Sequence, residues 1–345
     1  MKYHNLLSYL YCLYCQFVNQ TIYICFPFFN RFGYCKRLFY FVFGAILNLG
    51  PLFGQVNSEL NSNKIVKHQI SLRHDNDFLV FTDRYYSSGI FLSYGKRLEE
   101  GIFNSGHEQL IFLLNQEIYT PSNASTTNIV EMDRPYAGFL GFTVGWSFAK
   151  NSNDLEVNFM SGIAGKNSGA GSFHRWYHNA LEIPKPPSWA YEIDNSFHFN
   201  LYCRFSHEWR LAPGDFGVFL AIQPQFAVGT KDIYAQPELI TYFGKRNTMD
   251  KSSAYHKIGS KDRELFFALR TGYRFVGHNA MLEGNLFGDN SSFVVNPKTV
   301  MFSAGFDFQY SNGHDDYWLG YRFNSEETKE TNSHKYIILS YARSF

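Results

Sequence analysis

From residue 67 onward the chain alternates apolar and polar side chains almost without a break. Ser196–Trp209 shows the pattern best. Phe197, Phe199, Leu201, Cys203 and Phe205 share one face, and His198, Asn200, Tyr202, Arg204, Ser206 and Glu208 share the other. A period of two is the signature of a strand. Candidate strands cover 67–76, 88–98, 108–119, 137–149, 154–164, 196–210, 216–228, 235–244, 264–276, 279–288, 299–311, 315–325 and 334–345. Many of them run 10 to 13 residues. Strands of soluble sheets average roughly 5–6 residues, whereas a tilted strand crossing a bilayer needs roughly 9–11. An apolar face toward lipid and a polar face toward a lumen fit an all-β, antiparallel transmembrane β-barrel, in which closure pairs every backbone group. A half-buried soluble strand alternates in the same way, so the period alone does not choose between them.

Composition agrees with the barrel without requiring it. The 345 residues are 19% aromatic, with 24 Tyr and 36 Phe, enough to furnish aromatic girdles. No segment downstream of the N-terminal region has the roughly 18 apolar residues of a spanning helix. A net charge of +1 with no basic stripe excludes nucleic acid as the natural partner. The chain ends Tyr336-Ile337-Ile338-Leu339-Ser340-Tyr341-Ala342-Arg343-Ser344-Phe345. A terminal Phe with Tyr341, Leu339 and Ile337 on one face looks like the C-terminal signal of outer-membrane barrels; Arg343 on that face is placed to snorkel.

The N-terminal region reads as a separate unit. Lys36-Arg37 precedes an uncharged, mostly apolar run from Leu38 to Phe53, followed by Gly54-Gln55. A basic flank, a short apolar core and a small residue make a secretory signal peptide with cleavage near Gly54. Residues 1–54 are therefore expected to be an N-terminal hydrophobic region with the signal, 55–66 a mature leader and 67–345 the outer-membrane barrel. Residues 1–35 hold four of the five cysteines and stay outside the fold argument. Cys203 reads as a strand residue with no chemistry.

The polar residues collect in a few places. Asn76-Asp77 is followed by Asp83-Arg84-Tyr85-Tyr86-Ser87-Ser88-Gly89 at the end of a hairpin. Tyr119-Thr120-Pro121, Asp133-Arg134-Pro135-Tyr136-Ala137-Gly138 and a Gly-rich turn, Gly165 to Gly171, come next. His174, His178 and Trp189 follow, and then Gly277-His278-Asn279-Ala280. Ser172 to Ile183 is the one stretch with a short-helix pattern, and Lys245 to Lys261 reads as a polar loop.

In order and spacing these pieces resemble the bacterial outer-membrane lipid A 3'-O-deacylase family, over roughly residues 68 to 345. The resemblance implies a barrel of about 12 strands in the bacterial outer membrane. Thirteen candidates exceed that number, with 235–244 and 279–288 the weakest. It also implies a Ca²⁺-dependent ester hydrolase inside the barrel wall near its outer rim, acting as a monomer on lipid A or lipopolysaccharide among outer-membrane lipids. Asn76 and Asp77 match the pair associated with the metal site. Ser87 stands where the family usually has Thr and keeps a hydroxyl for the metal or a hydrogen bond. His178 matches the catalytic base. The family's supporting Glu falls on Pro184 here, leaving Glu182 or Glu192 as replacements. A Lys that some members carry after the Tyr-x-Pro motif is absent from Ser122–Thr126.

Each residue also has a plainer reading. Asn-Asp is a common turn pair. His174 is a rival to His178 one helical turn away, and the pair lacks the Glu of a His-Glu-x-x-His zinc motif. Asp83, Arg84, Asp133 and Arg134 read as an internal ion-pair network. No Gly-x-Ser-x-Gly elbow surrounds Ser87, which argues against a serine triad. A structural or channel-like barrel without catalysis, or an esterase directed at phospholipid, are the rival functions.

Overall fold

The computed structural model describes residues 66–345 except 81, 104, 215, 260 and 261. The expected signal peptide and most of the mature leader lie outside the described residues. Of the described residues, 66–177 and 185–345 make one unit, and His178–Pro184 belongs to a second.

The first unit is a closed antiparallel barrel of twelve strands in which β1 pairs with β12. The strands are β1 His68–Asn76, β2 Tyr85–Arg97, β3 His107–Thr120, β4 Ala137–Lys150, β5 Asn153–Ala164, β6 Ser196–Ala212, β7 Gly217–Gly229, β8 Asp232–Lys245, β9 Glu264–Asn279, β10 Val300–Ser311, β11 Asp315–Asn324 and β12 His334–Ser344. Helix α1 spans Ala170–Ala180 and the single turn α2 spans Ala280–Glu283. No helix among the described residues is long and apolar enough to cross a membrane; the strands cross instead.

Of the two weak strand candidates, 235–244 is real and 279–288 is not. Asn279 ends β9 and accepts from Met281 N at 3.0 Å, starting a turn of helix. Gly284 then leaves that turn at φ 78°, where a side chain is strained. Local capping overrode a weak alternation. The helix expected at 172–183 forms two residues earlier and ends earlier, with Ile183 N on His178 O at 2.9 Å.

Side-chain parity fixes inside and outside. Gln69, Ser71, Arg73 and Asp75 of β1 line the lumen, as do Phe91, Ser93 and Gly95 of β2. Their neighbours Ile70, Leu92 and Tyr94, with Phe142, Phe199 and Leu319 elsewhere, stand exposed on the outer wall. The lumen is held by ion pairs, among them Arg73 with Asp75, Arg204 with Glu156 at 2.5 Å and Arg270 with Asp307 at 2.6 Å. Buried charges are tolerated only when so compensated.

The long connectors, 121–136, 165–195 and 280–299, leave the end of the barrel opposite the chain's C-terminus. Long loops mark the extracellular end. At the periplasmic end the turns at 151–152 and 312–314 are short, whereas the β8–β9 connector is long and folds back into the lumen.

Candidate active site

The site grows from an irregularity in β2. Tyr86 pairs with Tyr119 but Ser88 pairs with Ile118, so Ser87 is an extra residue. Such a bulge re-aims a side chain at the edge of a sheet. Ser87 is buried, its carbonyl accepts from Asp77 N at 3.2 Å, and its hydroxyl lies 2.8 Å from Asp83 Oδ1 and 3.4 Å from Asp77 Oδ1. One hydroxyl hydrogen serves two carboxylates.

Asp77 is fully buried. Its Oδ2 accepts from Thr82 Oγ1 and Arg84 N, both at 2.8 Å. Burial, and then the nearby Asp83 charge, push its carboxyl well above the usual carboxylate range despite those bonds. Two acids around one hydroxyl, in a loop held by its own backbone, form a hard oxygen donor set. This is chemistry a hard cation such as Ca²⁺ satisfies, so the residues present fit one.

Asn76, the last residue of β1, is buried beside this loop and pairs with Ser88. By parity Asn76 faces outward, with His74 below it, whose Nε2 lies 3.3 Å from Ser88 Oγ. On β3 the outward positions Gln116 and Ile118 are likewise covered. This corner of the outer wall is therefore polar where the rest is apolar.

What covers it is α1. Ile118, Met132, Tyr136, Ala170 and Trp189 pack as one apolar cluster on the outer side. Gly138 lets the helix approach: a Cβ there would stand 2.4 Å from Ala170 Cβ and from Ser168 Oγ. Trp189, at φ 55°, stacks on Tyr136 and donates its indole N–H to His174 Nδ1 at 3.2 Å. An indole only donates. His174 Nδ1 is therefore the acceptor and Nε2 carries the proton, 3.7 Å from Asp83 Oδ1.

His178 is buried in the last turn of α1, four residues after His174 and so on the same helix face. Glu182 follows the helix at φ 54° and is exposed. Glu192 is half-buried beside Gly138, and its Oε1 has no hydrogen-bond partner among the described residues. Burial raises its pKa to about 7, against the pull of Arg175 and Lys166.

The structure brings Asp77 and Ser87 together and places Asp83 and His174 beside them, residues to which the sequence reading gave other roles. The four residues read as an ion-pair network divide, and Arg84 lies over the Tyr85 ring at 5.3 Å. Arg134 pairs with Glu327, whereas Asp133 accepts from Tyr85 Oη and Ser122 N, at 2.9 Å each, and Asp83 turns to the site. The site also lies on the lipid-facing side of the wall, under α1, rather than inside it. The bulge at Ser87 is the physical reason, and no single-strand pattern reveals it.

The comparisons agree with this architecture. The family described as outer membrane protein LpxR matches residues 40–345. LpxR from Salmonella typhimurium superposes with a TM-score of 0.68 at 17% identity, covering 80% of this chain and all of that one. The translocator domain of autotransporter NalP from Neisseria meningitidis matches at a TM-score of only 0.38 and 9% identity, covering 87% and 96%. No curated protein sequence matches the chain.

Proposed function

Because this chain belongs to the LpxR family of bacterial outer-membrane proteins, we propose that it is a lipid A deacylase-type ester hydrolase that removes the 3'-linked acyl chain. One observation carries the reading. A cluster of two acids, a serine hydroxyl and a histidine, buried except for the partly exposed Asp83, sits under α1 on the outer side of the wall at the extracellular rim. A lipid embedded in the outer leaflet reaches that position by lateral diffusion, without entering the lumen.

In this reading Asp77, Asp83 and Ser87, with Asn76 beside them, would hold Ca²⁺. Bound there, the ion supplies positive charge to the ester carbonyl as it gains negative charge. His178 takes the proton from the attacking water and returns it to the departing sugar oxygen. An imidazole serves as base in the first step and, once protonated, as acid in the second. His174, its tautomer set by Trp189, holds the Asp83 carboxylate in place. Outward aromatic and aliphatic residues below the rim accommodate the acyl chain, and rim Lys and Arg meet lipid phosphates. The protein acts as a monomer.

The departure at Pro184 favours a second reading, a barrel that kept the scaffold and lost the reaction, since proline there has no carboxylate to offer. Mass spectrometry of lipid A from cells expressing the protein separates the two. Calcium-dependent loss of the 3' acyl mass, absent in His178→Ala, supports the hydrolase. Unchanged lipid A from folded, outer-membrane-located protein supports the second reading.

A further inference from the structure

The described part of the β8–β9 connector, residues 246–259, leaves the periplasmic end but does not stay there. Met249, Ala254 and Tyr255 are buried in one cluster with Phe219, Ala221, Ile240, Tyr242, Phe266 and Ala268, the inward residues of β7, β8 and β9. The segment then crosses to the far wall. Gln109 of β3 donates to His256 O at 2.8 Å and accepts from Ile258 N at 3.2 Å. Lys257 Nζ lies 3.0 Å from Ser147 Oγ of β4 and 2.5 Å from Asp154 Oδ1 of β5, with both charged side chains fully buried.

The near side is tied down as firmly. Glu264 accepts from Asn247 N, Ser252 Oγ and Ser253 N at 2.7–2.8 Å. Glu208 accepts from Tyr255 Oη at 2.8 Å and pairs with Arg246. Above the segment the lumen is open, with cavities of about 260 and 440 Å³ that share Arg73 and Phe91 in their linings. Ser253, His256 and Ile258 form part of the floor of the smaller one.

We propose that this connector is a built-in plug that seals the lumen at its periplasmic end, with Lys257–Asp154 as the latch on the far wall. A simple turn between β8 and β9 needs only a few residues. The extra chain buries a cluster of its own, and a fully buried ion pair is retained where an apolar pair would serve packing equally well. Such a pair fixes one position of the segment, because Lys257 finds its compensating charge only when the loop has crossed the barrel. The lumen is then a closed vestibule rather than a route, and the barrel conducts neither ions nor solutes.

The test is ion conductance of the purified full chain in planar lipid bilayers. Wild type is expected to be silent. A variant with 248–259 replaced by a short Gly-Ser turn, checked as folded by heat-modifiable gel migration, is expected to give stable conductance steps. Lys257→Glu, which sets a second acid against Asp154, is expected to give transient openings under conditions in which wild type gives none. Wild type that conducts like the shortened barrel overturns the plug, as does a folded shortened barrel that stays silent. Should the shortened barrel not fold, Lys257→Glu decides: folded and silent, it overturns the proposal.

Discussion

Trp189 donates its indole N–H to Nδ1 of His174 across 3.2 Å, which leaves the Nε2 proton of that histidine on the side of Asp83. A tryptophan fifteen residues further along the chain thereby sets the tautomer of a histidine beside the candidate metal carboxylates. Trp189→Phe keeps a ring against Tyr136 and loses only the donor. Acyl release is expected to fall about fivefold, the kinetic equivalent of one neutral hydrogen bond of ~1 kcal/mol. Folding, read by gel migration, is expected to stay unchanged.

His178 and His174 are expected to separate in kinetics. Removing a general base costs on the order of 10²–10⁴-fold. His178→Ala should fall in that range, measured as turnover of purified lipid A in detergent micelles. His174→Ala should cost far less at saturating calcium and should raise the calcium concentration needed for half-maximal activity.

Calcium dependence is expected to follow the acids. Asp77 has its pKa raised by burial and by Asp83, so folding favours its protonated form. A raised carboxyl contributes stability that is present below the ordinary carboxylate range and lost as pH rises through the folded-state value. Metal-free protein should therefore be less heat-resistant at neutral than at acid pH. Asp77→Asn should remove that loss and also the stabilisation given by added calcium, both read from the temperature of the gel-mobility transition.

Glu192 gives a pH window that can be measured separately. Its pKa of about 7 is again a raised one, so its contribution fades as pH climbs from about 5 toward 8. Glu192→Gln should flatten the stability curve over that range. If Glu192 also supports the reaction in place of the residue missing at Pro184, the same variant will lower turnover; a purely structural Glu192 leaves it unaltered.

Gly138 tests how α1 is seated. Gly138→Ala places a methyl 2.4 Å from Ala170 Cβ, so the helix must shift off the wall. Loss of most activity with an intact, heat-modifiable barrel is the expected outcome. Full activity would show that α1 need not lie where it does.

Much of this was legible in the chain and some was not, for reasons that lie in particular residues. Alternation in Ser196–Trp209 and its counterparts gave the wall, because a period of two repeats in every strand. The hydroxyl and acid of Ser87 and Asp77 were found by motif. Asp83 was assigned to an ion-pair network because its neighbour Arg84 invited that pairing. Only the chain's path around Thr82 and the bulge turns Asp83 toward His174. Residues 245–261 read as a polar loop in the sequence. Met249, Tyr255 and Ile258 are too few and too irregularly spaced to form a pattern, so their burial follows from the lumen around them.

The extra residue at Ser87 also reverses the phase of its strand. Below it the odd-numbered Gly89, Phe91 and Ser93 look inward; above it the even-numbered Tyr86 does. Removal of that single residue would restore one phase throughout and exchange every side chain above it between lipid and lumen. The enclosing wall would survive such a deletion, but the functional corner would not. In this lineage a barrel and its chemistry can therefore part company in one step, leaving a sound container with no working face.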